Sequence, residues 1–127
     1  MPGERILIVD DDRDVVKGLA IRLRAYGYQI LCAHDAVSAV SMARRSEPDL
    51  ILLDLGLPGG DGSKVMQRLE SLHTTVSIPI IVISAKDPAA VMKRALYAGT
   101  ASFLKKPVDN DELLHSIRTA LGEAVPA

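Results

Sequence analysis

Pro48-Asp49-Leu50-Ile51-Leu52-Leu53-Asp54-Leu55-Gly56-Leu57-Pro58-Gly59-Gly60-Asp61-Gly62 is the stretch around which the chain is organised. Four apolar residues, Leu50 to Leu53, run into one carboxylate, Asp54, and a Pro/Gly-rich loop follows. A continuous apolar run bounded by turn signals reads as a strand buried on both faces, as inside a parallel sheet. Open parallel sheets bind ligands beyond the carboxyl ends of their strands. Asp54 therefore stands where chemistry is expected. A lone Asp after a strand ordinarily caps the next helix. Here Asp61 and Ser63 are available for capping, which leaves Asp54 for another task.

Outward from this stretch, short apolar runs alternate with helical patterns. Ile6 to Val9 is a first strand, ended by Asp10-Asp11-Asp12. Val15, Val16, Leu19, Leu23 and Tyr26 then recur at helical spacing, and Gly27 stops that helix. Tyr28 to Ala33 is a second, less uniformly apolar strand. Asp35 opens a second helix with Val37, Val40, Ala36, Ala39 and Ala43 on its buried side. After the third strand, a third helix carries Val65, Met66, Leu69 and Leu72. Ile80 to Ile83 is a fourth strand ending at Ser84. Asp87-Pro88 starts a fourth helix, with Pro at its first position, and Gly99 ends it. Ala101 to Leu104 is a short fifth strand. Asp109, with Glu112 three residues on, resembles a capping box. Leu113, Leu114, Ile117 and Leu121 form the last buried stripe, and Gly122 stops the helix.

Strict β-α alternation implies an α/β fold: a five-stranded parallel sheet with helices on both faces. The uniformly apolar strands one, three and four belong in the centre, and strands two and five at the edges. The order 2-1-3-4-5 of a flavodoxin-like (βα)5 arrangement satisfies this. No internal repeat or linker interrupts residues 1–124, and 125–127 are expected to fray.

The composition excludes several classes of function. The 127 residues are 48% apolar and 24% charged, with a net charge of −1. That is an ordinary globular domain with no field drawing it to nucleic acid or membrane. No apolar run approaches the ~20 residues that span a bilayer. The N-terminus lacks a signal-peptide pattern, because acids at 10–12 break the apolar run. The single Cys32 is expected to be buried and inert. These features point to the cytoplasm.

The strand ends hold a constellation. Strand one gives Asp10 and Asp11, strand three Asp54, strand four Ser84, and strand five leads to Lys106-Pro107. All fall on one carboxyl edge. Clustered carboxylates raise each other's pKa. A hard divalent cation removes that cost, and oxygen-only ligands favour Mg²⁺. Mg²⁺ commonly pairs with phosphate. A lysine and a hydroxyl facing the same spot complete a site for a phosphoryl group.

These residues carry a family resemblance over nearly the whole chain. Ile-Leu-Ile-Val-Asp-Asp at 6–11, Leu-Leu-Asp-Leu-Gly-Leu-Pro-Gly-Gly-Asp-Gly at 52–62, Val-Ile-Ser-Ala at 82–85 and Phe-Leu-Lys-Lys-Pro at 103–107 resemble the receiver domain of two-component response regulators. The resemblance implies that residues 1–124 are that domain and that Asp54 is the phosphoacceptor. It implies Mg²⁺ held by Asp11, Asp54 and the Gly56 carbonyl, with Asp10 acting through a bound water. Lys106 corresponds to the lysine on the phosphoryl oxygens, in a Lys106–Pro107 bond that is usually cis. Ser84 and Phe103 correspond to the switch hydroxyl and aromatic. The implied donor is a phosphohistidine on a sensor histidine kinase or histidine phosphotransfer protein. The implied recipient of the signal is an output domain or protein. One arrangement is a homodimer through the face made by the fourth helix, fifth strand and fifth helix. Neither nucleic-acid nor membrane binding by this chain is implied. The chain departs from the family where Phe103 replaces a frequent Tyr, and Gly56 and Gly60 replace larger side chains. Val108 also stands where an aromatic is frequent.

Two other readings compete. A haloacid-dehalogenase-like phosphatase also uses a strand-end Asp, Mg²⁺, a hydroxyl and a lysine, but its nucleophile follows strand one, where Asp14 here breaks the expected pattern. A phosphorylation-independent pseudo-receiver would not need the intact set of acids, hydroxyl and lysine. On the receiver reading, chemistry is limited to gaining and losing the domain's own phosphoryl group. His34, His73 and His115 have no metal-like spacing and read as surface or loop residues. Asp12 and Asp14 read as first-turn helix acids. Arg44, Arg45 and Lys105 read as solvated.

Overall fold

In the computed structural model, which describes residues 3–57, 61–85 and 100–122, the run 50–53 forms strand β3 (Leu50–Asp54), buried throughout. Around it lie β1 (Arg5–Val9), β2 (Gln29–Ala33), β4 (Ile80–Ser84) and β5 (Thr100–Lys105). They make one parallel sheet in the expected order β2-β1-β3-β4-β5. The helices are α1 (Arg13–Arg24), α2 (Ala36–Ser46), α3 (Asp61–Ser71) and α4 (Asn110–Ala120). The stretch expected as a further helix between Asp87 and Gly99 lies outside the described residues, as do Gly60 and 125–127.

Strand alternation divides the core in two. Ile6 and Ile8 of β1, Leu50 and Leu52 of β3, and Ile81 and Ile83 of β4 pack with Leu19 and Leu23 of α1 and with Leu113 and Ile117 of α4. Leu7, Val9, Ile51, Leu53, Ile80 and Val82 point the other way, against Ala39 and Ala43 of α2 and Val65, Met66 and Leu69 of α3. Full burial of each Val, Leu, Ile or Met side chain among these stabilises by ~1.5–3 kcal/mol. A sheet apolar on both faces needs helices on both. The same alternation carries Asp54 to the side of Leu50 and Leu52.

Local chemistry sets most helix ends. Asp12, Asp35 and Asp109 are N-caps whose side chains accept from backbone N–H groups two or three residues on. Gly27 and Gly122 take positive φ, 92° and 74°, which costs little without a Cβ. Glu47 takes φ 45° at the C-cap of α2, an end that carries no glycine signal. Buried Thr75 donates its hydroxyl to the Leu69 carbonyl at 2.6 Å and so closes the end of α3.

Several expectations need correction. Val37, assigned to the buried side of α2, is 81% exposed. The helix rests on Ala39 and Ala43, and a residue two positions from Ala39 points away from that stripe. Tyr26 falls beyond the end of α1, half exposed, with the Arg118 guanidinium 6.0 Å from its ring centre. Leu72 and Leu121 follow the last residues of α3 and α4 and are half-buried. Cys32 is half-buried in β2, and burial pushes its thiol pKa up. Because α3 begins at Asp61, Ser63 lies inside its first turn and not ahead of it.

Candidate functional site

β1 and β3 are neighbours in register, Val9 beside Leu53, so their next residues, Asp10 and Asp54, emerge side by side. β4 continues the row: Asp54 pairs with Ile83, and Ser84 follows it. On β5 the register sets Ser84 beside Lys105. The Lys106 N–H then donates to the Ser84 carbonyl at 2.8 Å, which fixes the backbone of Lys106 at the same edge. The Lys106–Pro107 bond is cis.

Side chains converge there. The Lys106 ammonium donates to Asp10 Oδ2 at 2.8 Å and to Asp54 Oδ2 at 3.4 Å. Asp10 Oδ1 accepts the Asp12 N–H at 2.9 Å, and Asp54 Oδ1 accepts the Gly56 N–H at 2.8 Å. Asp10 and Asp54 are buried while Asp11 is exposed at the mouth. Carboxylate oxygens of Asp10, Asp11 and Asp54 all lie within 4.8 Å of one another.

Electrostatics follows from that geometry. Burial holds the Asp54 carboxyl above its ordinary pKa, and the nearby Asp10 charge adds to this; the Gly56 N–H and Lys106 oppose it without cancelling it. Burial alone would lower the Lys106 ammonium, but its hydrogen bond to Asp10 and the charges of Asp54 and Asp10 raise it. Ionised, the three acids and one ammonium leave two negative charges to be balanced. Three hard oxygen donors at this spacing suit a divalent cation.

Of the other expected site residues, Ser84 is 1% exposed. By alternation it shares a face with Val82, whose register partner is Phe103. Phe103 is half-buried against the cluster formed by Leu7, Leu53 and Val82. The two switch candidates thus share one side of adjacent strands. Two contributors were missed. His34 lies in the loop after β2 as expected, but its Nδ1–H also donates to the Asp10 carbonyl at 3.0 Å, bracing the acidic turn. Gly62 has no room for a side chain, because a Cβ there would lie 2.6 Å from Leu55 Cα and 2.8 Å from the Asp54 carbonyl oxygen. Its place just inside an acidic, glycine-rich helix start was the only available signal.

Comparison with known proteins agrees with this arrangement. The family model for the response regulator receiver domain matches residues 6–118. The response regulator PleD of Caulobacter vibrioides is 39% identical over 115 residues, 91% of this chain and 25% of the relative. The response regulator MprA of Mycobacterium avium is 38% identical over 122 residues, 96% of this chain and 53% of the relative. The chain therefore spans between a quarter and about half of the length of these relatives. Among solved structures, the receiver domain of the sensor histidine kinase PA1611 from Pseudomonas aeruginosa PAO1 superposes with a TM-score of 0.86 at 29% identity, covering 95% of this chain and 99% of that one. That structure has a magnesium ion coordinated in its active-site cleft. None of these findings favours the phosphatase reading.

Proposed function

Because this chain belongs to the response-regulator receiver family of two-component signalling, we propose that Asp54 is its phosphoacceptor. The donor is a phosphohistidine on a sensor histidine kinase or phosphotransfer protein. The observation that carries the proposal is the meeting of Asp54 with Asp10, Asp11 and Lys106 on one strand edge.

An Asp54 carboxylate oxygen forms the new O–P bond as the donor's N–P bond breaks, and imidazole leaves with the N–P electron pair. The raised pKa of Asp54 works against the attacking anion until a cation joins the site. Asp10, Asp11, Asp54 and the Gly56 carbonyl would hold Mg²⁺, which supplies charge neutralisation at the transferring oxygens. Lys106 already reaches both buried acids, and it exchanges the longer contact, to Asp54, for a phosphoryl oxygen. The new group brings roughly two negative charges and strong acceptor oxygens. Ser84 donates to it, and Phe103, with no hydroxyl to hold outside, takes the space vacated. The recipient is an output domain or a separate protein, which recognises the altered surface around β5. The domain's chemistry ends with gaining and losing its own phosphoryl group. On this reading the domain acts in the cytoplasm.

Intact-mass measurement after a small phosphoryl donor with Mg²⁺ tests the assignment. One added phosphoryl group is expected in the wild type and none in Asp54→Asn. Full modification of that variant at another carboxylate would overturn it.

A further inference from the structure

Away from the acidic edge, α2 and α3 lie side by side on one face of the sheet. Between them runs a groove of about 740 Å³. Val37 and half-buried Val40 supply its apolar surface over a floor that includes buried Val65, and Val37 is the most exposed large apolar side chain among the described residues. Its rim is basic: Arg44 and Arg45 from the last turn of α2, Lys64 and Arg68 from α3. No acidic residue lines it. Among the described residues Arg44, Arg45 and Arg68 make no ion pair.

We propose that this groove docks an acidic amphipathic helix of a partner protein. Cations in the last turn of a helix have a local use, since they offset the carbonyl end of its dipole. That accounts for the Arg44 and Arg68 charges but not for an uncovered valine beside them. The net charge of the whole chain is −1, so the basic rim is a local feature, complementary to a local acidic partner. Shape and polarity choose among anionic partners. A nucleic acid would present phosphates to the rim and leave the valines bare. A bilayer surface cannot follow a concavity between two helices. A helix lying in the groove places an apolar stripe on the valines and acids on the arginines. Val37 and Arg44 are seven residues apart, about 10 Å along α2. The docked helix therefore carries its apolar anchor and its acids two turns apart on one face.

The test uses the chain labelled with ¹⁵N and a helical peptide of about 18 residues bearing Leu and Glu at that spacing. Its Glu→Lys counterpart, a DNA duplex and phosphatidylglycerol vesicles are the competitors. The acidic peptide is expected to move resonances of α2 and α3 and to lose affinity as salt is added. Arg44→Glu and Arg68→Glu should each weaken it about tenfold, and Val37→Asp by a similar factor. All three positions are exposed, so the variants keep their fold, as circular dichroism would verify. The proposal is overturned if the acidic peptide leaves these helices unmoved or binds no better than its lysine counterpart. It is equally overturned if DNA or vesicles displace the peptide there, or if the same shifts arise from self-association as the chain alone is concentrated.

Discussion

At the end of β1, Asp10 has both oxygens engaged at short range, by the Asp12 N–H at 2.9 Å and the Lys106 ammonium at 2.8 Å. At the end of β3, Asp54 has the Gly56 N–H at 2.8 Å but Lys106 only at 3.4 Å. The local device is shared: an aspartate accepting from the N–H two residues on. Asp10 uses one lone pair on each oxygen to hold the site together. Asp54 is buried nearly as deeply, 6% exposed against 3%, and that burial, with the Asp10 charge beside it, raises its pKa against the opposing Gly56 N–H and Lys106. Each carboxylate keeps lone pairs for a cation, but the longer lysine contact at Asp54 is the one more readily exchanged for a new ligand, while the shorter one at Asp10 anchors Lys106.

The two strand ends also connect differently to the helices that follow. After β1 the connection is secured by a side chain, Asp12 accepting from the N–H groups of Asp14 and Val15. After β3 it depends on a missing one, at Gly62, where α3 touches the backbone of Asp54 and Leu55. Gly62→Val should therefore cause the largest loss of stability, about 3 kcal/mol, because backbone atoms cannot yield as a side chain can. Asp12→Ala should cost about 1 kcal/mol, the ordinary worth of an N-cap. Urea denaturation of both variants measures the gap, and equal losses would mean that α3 moves freely away from β3.

Next in size is a difference of sign. Asp10→Asn removes a charge-assisted bond from Lys106 and should destabilise by about 1–3 kcal/mol. Asp54→Asn should instead stabilise at pH 7 in metal-free buffer. The folded-state pKa of Asp54 is raised, so its favourable contribution is full below the unfolded value of about 3.9 and is lost as pH rises through the folded value. The advantage of Asp54→Asn should accordingly shrink as pH is lowered toward 4. Mg²⁺ should narrow it from the other side by stabilising the wild type alone. Denaturation curves between pH 4 and 8, with EDTA and with Mg²⁺, would reveal it; a destabilised Asp54→Asn at pH 7 would erase the distinction.

A smaller effect separates neighbours within the β1 end. Asp11 contributes to the acidic cluster and Asp12 caps α1. In a Mg²⁺ titration Asp11→Ala should weaken binding on the order of tenfold, about 1.4 kcal/mol, and Asp12→Ala far less. Equal weakening would show that the cap, and not a ligand, controls the metal.

Sheet order and the acidic edge were legible because they depend on gross signals. Continuous apolar runs at β1, β3 and β4 identify buried central strands, and register then brings Asp10, Asp54 and Ser84 together. What escaped depends on short-range packing. Nothing in the spacing of Val37 distinguishes it from Val40 until Ala39 and Ala43 are known to set the contact stripe. Tyr26 looked like another helical repeat because α1 ends two residues before it, without a break in the pattern. His34 has no motif, since its partner is a main-chain carbonyl 24 residues away. The role of Gly62 is a close approach between backbones, which no residue pattern encodes. Lys106 was correctly brought to the acids, but its nearer partner proved to be Asp10, a difference of 0.6 Å between 2.8 and 3.4 Å.

The smallest expected effect concerns how long the phosphoryl group survives. Hydrolysis requires water in line with phosphorus, opposite the Asp54 oxygen. Gly56 borders the Asp54 carboxylate: a Cβ there would lie 3.1 Å from Oδ1 and 3.5 Å from Oδ2. The Gly56 N–H bond to Oδ1 survives any replacement except proline, so the turn stays intact. A Cβ alone presses the carboxylate aside by a few tenths of an ångström, whereas a long side chain also covers the approach. Gly56→Ala should therefore slow phosphorylation slightly and leave decay near the wild-type rate. Gly56→Met should slow decay as well, about threefold, or less than 1 kcal/mol in the barrier. Decay followed by intact mass after donor removal compares the two. If alanine prolongs the phosphoryl group as much as methionine does, displacement of Asp54 controls the lifetime, and the open space at position 56 is not the path of the water.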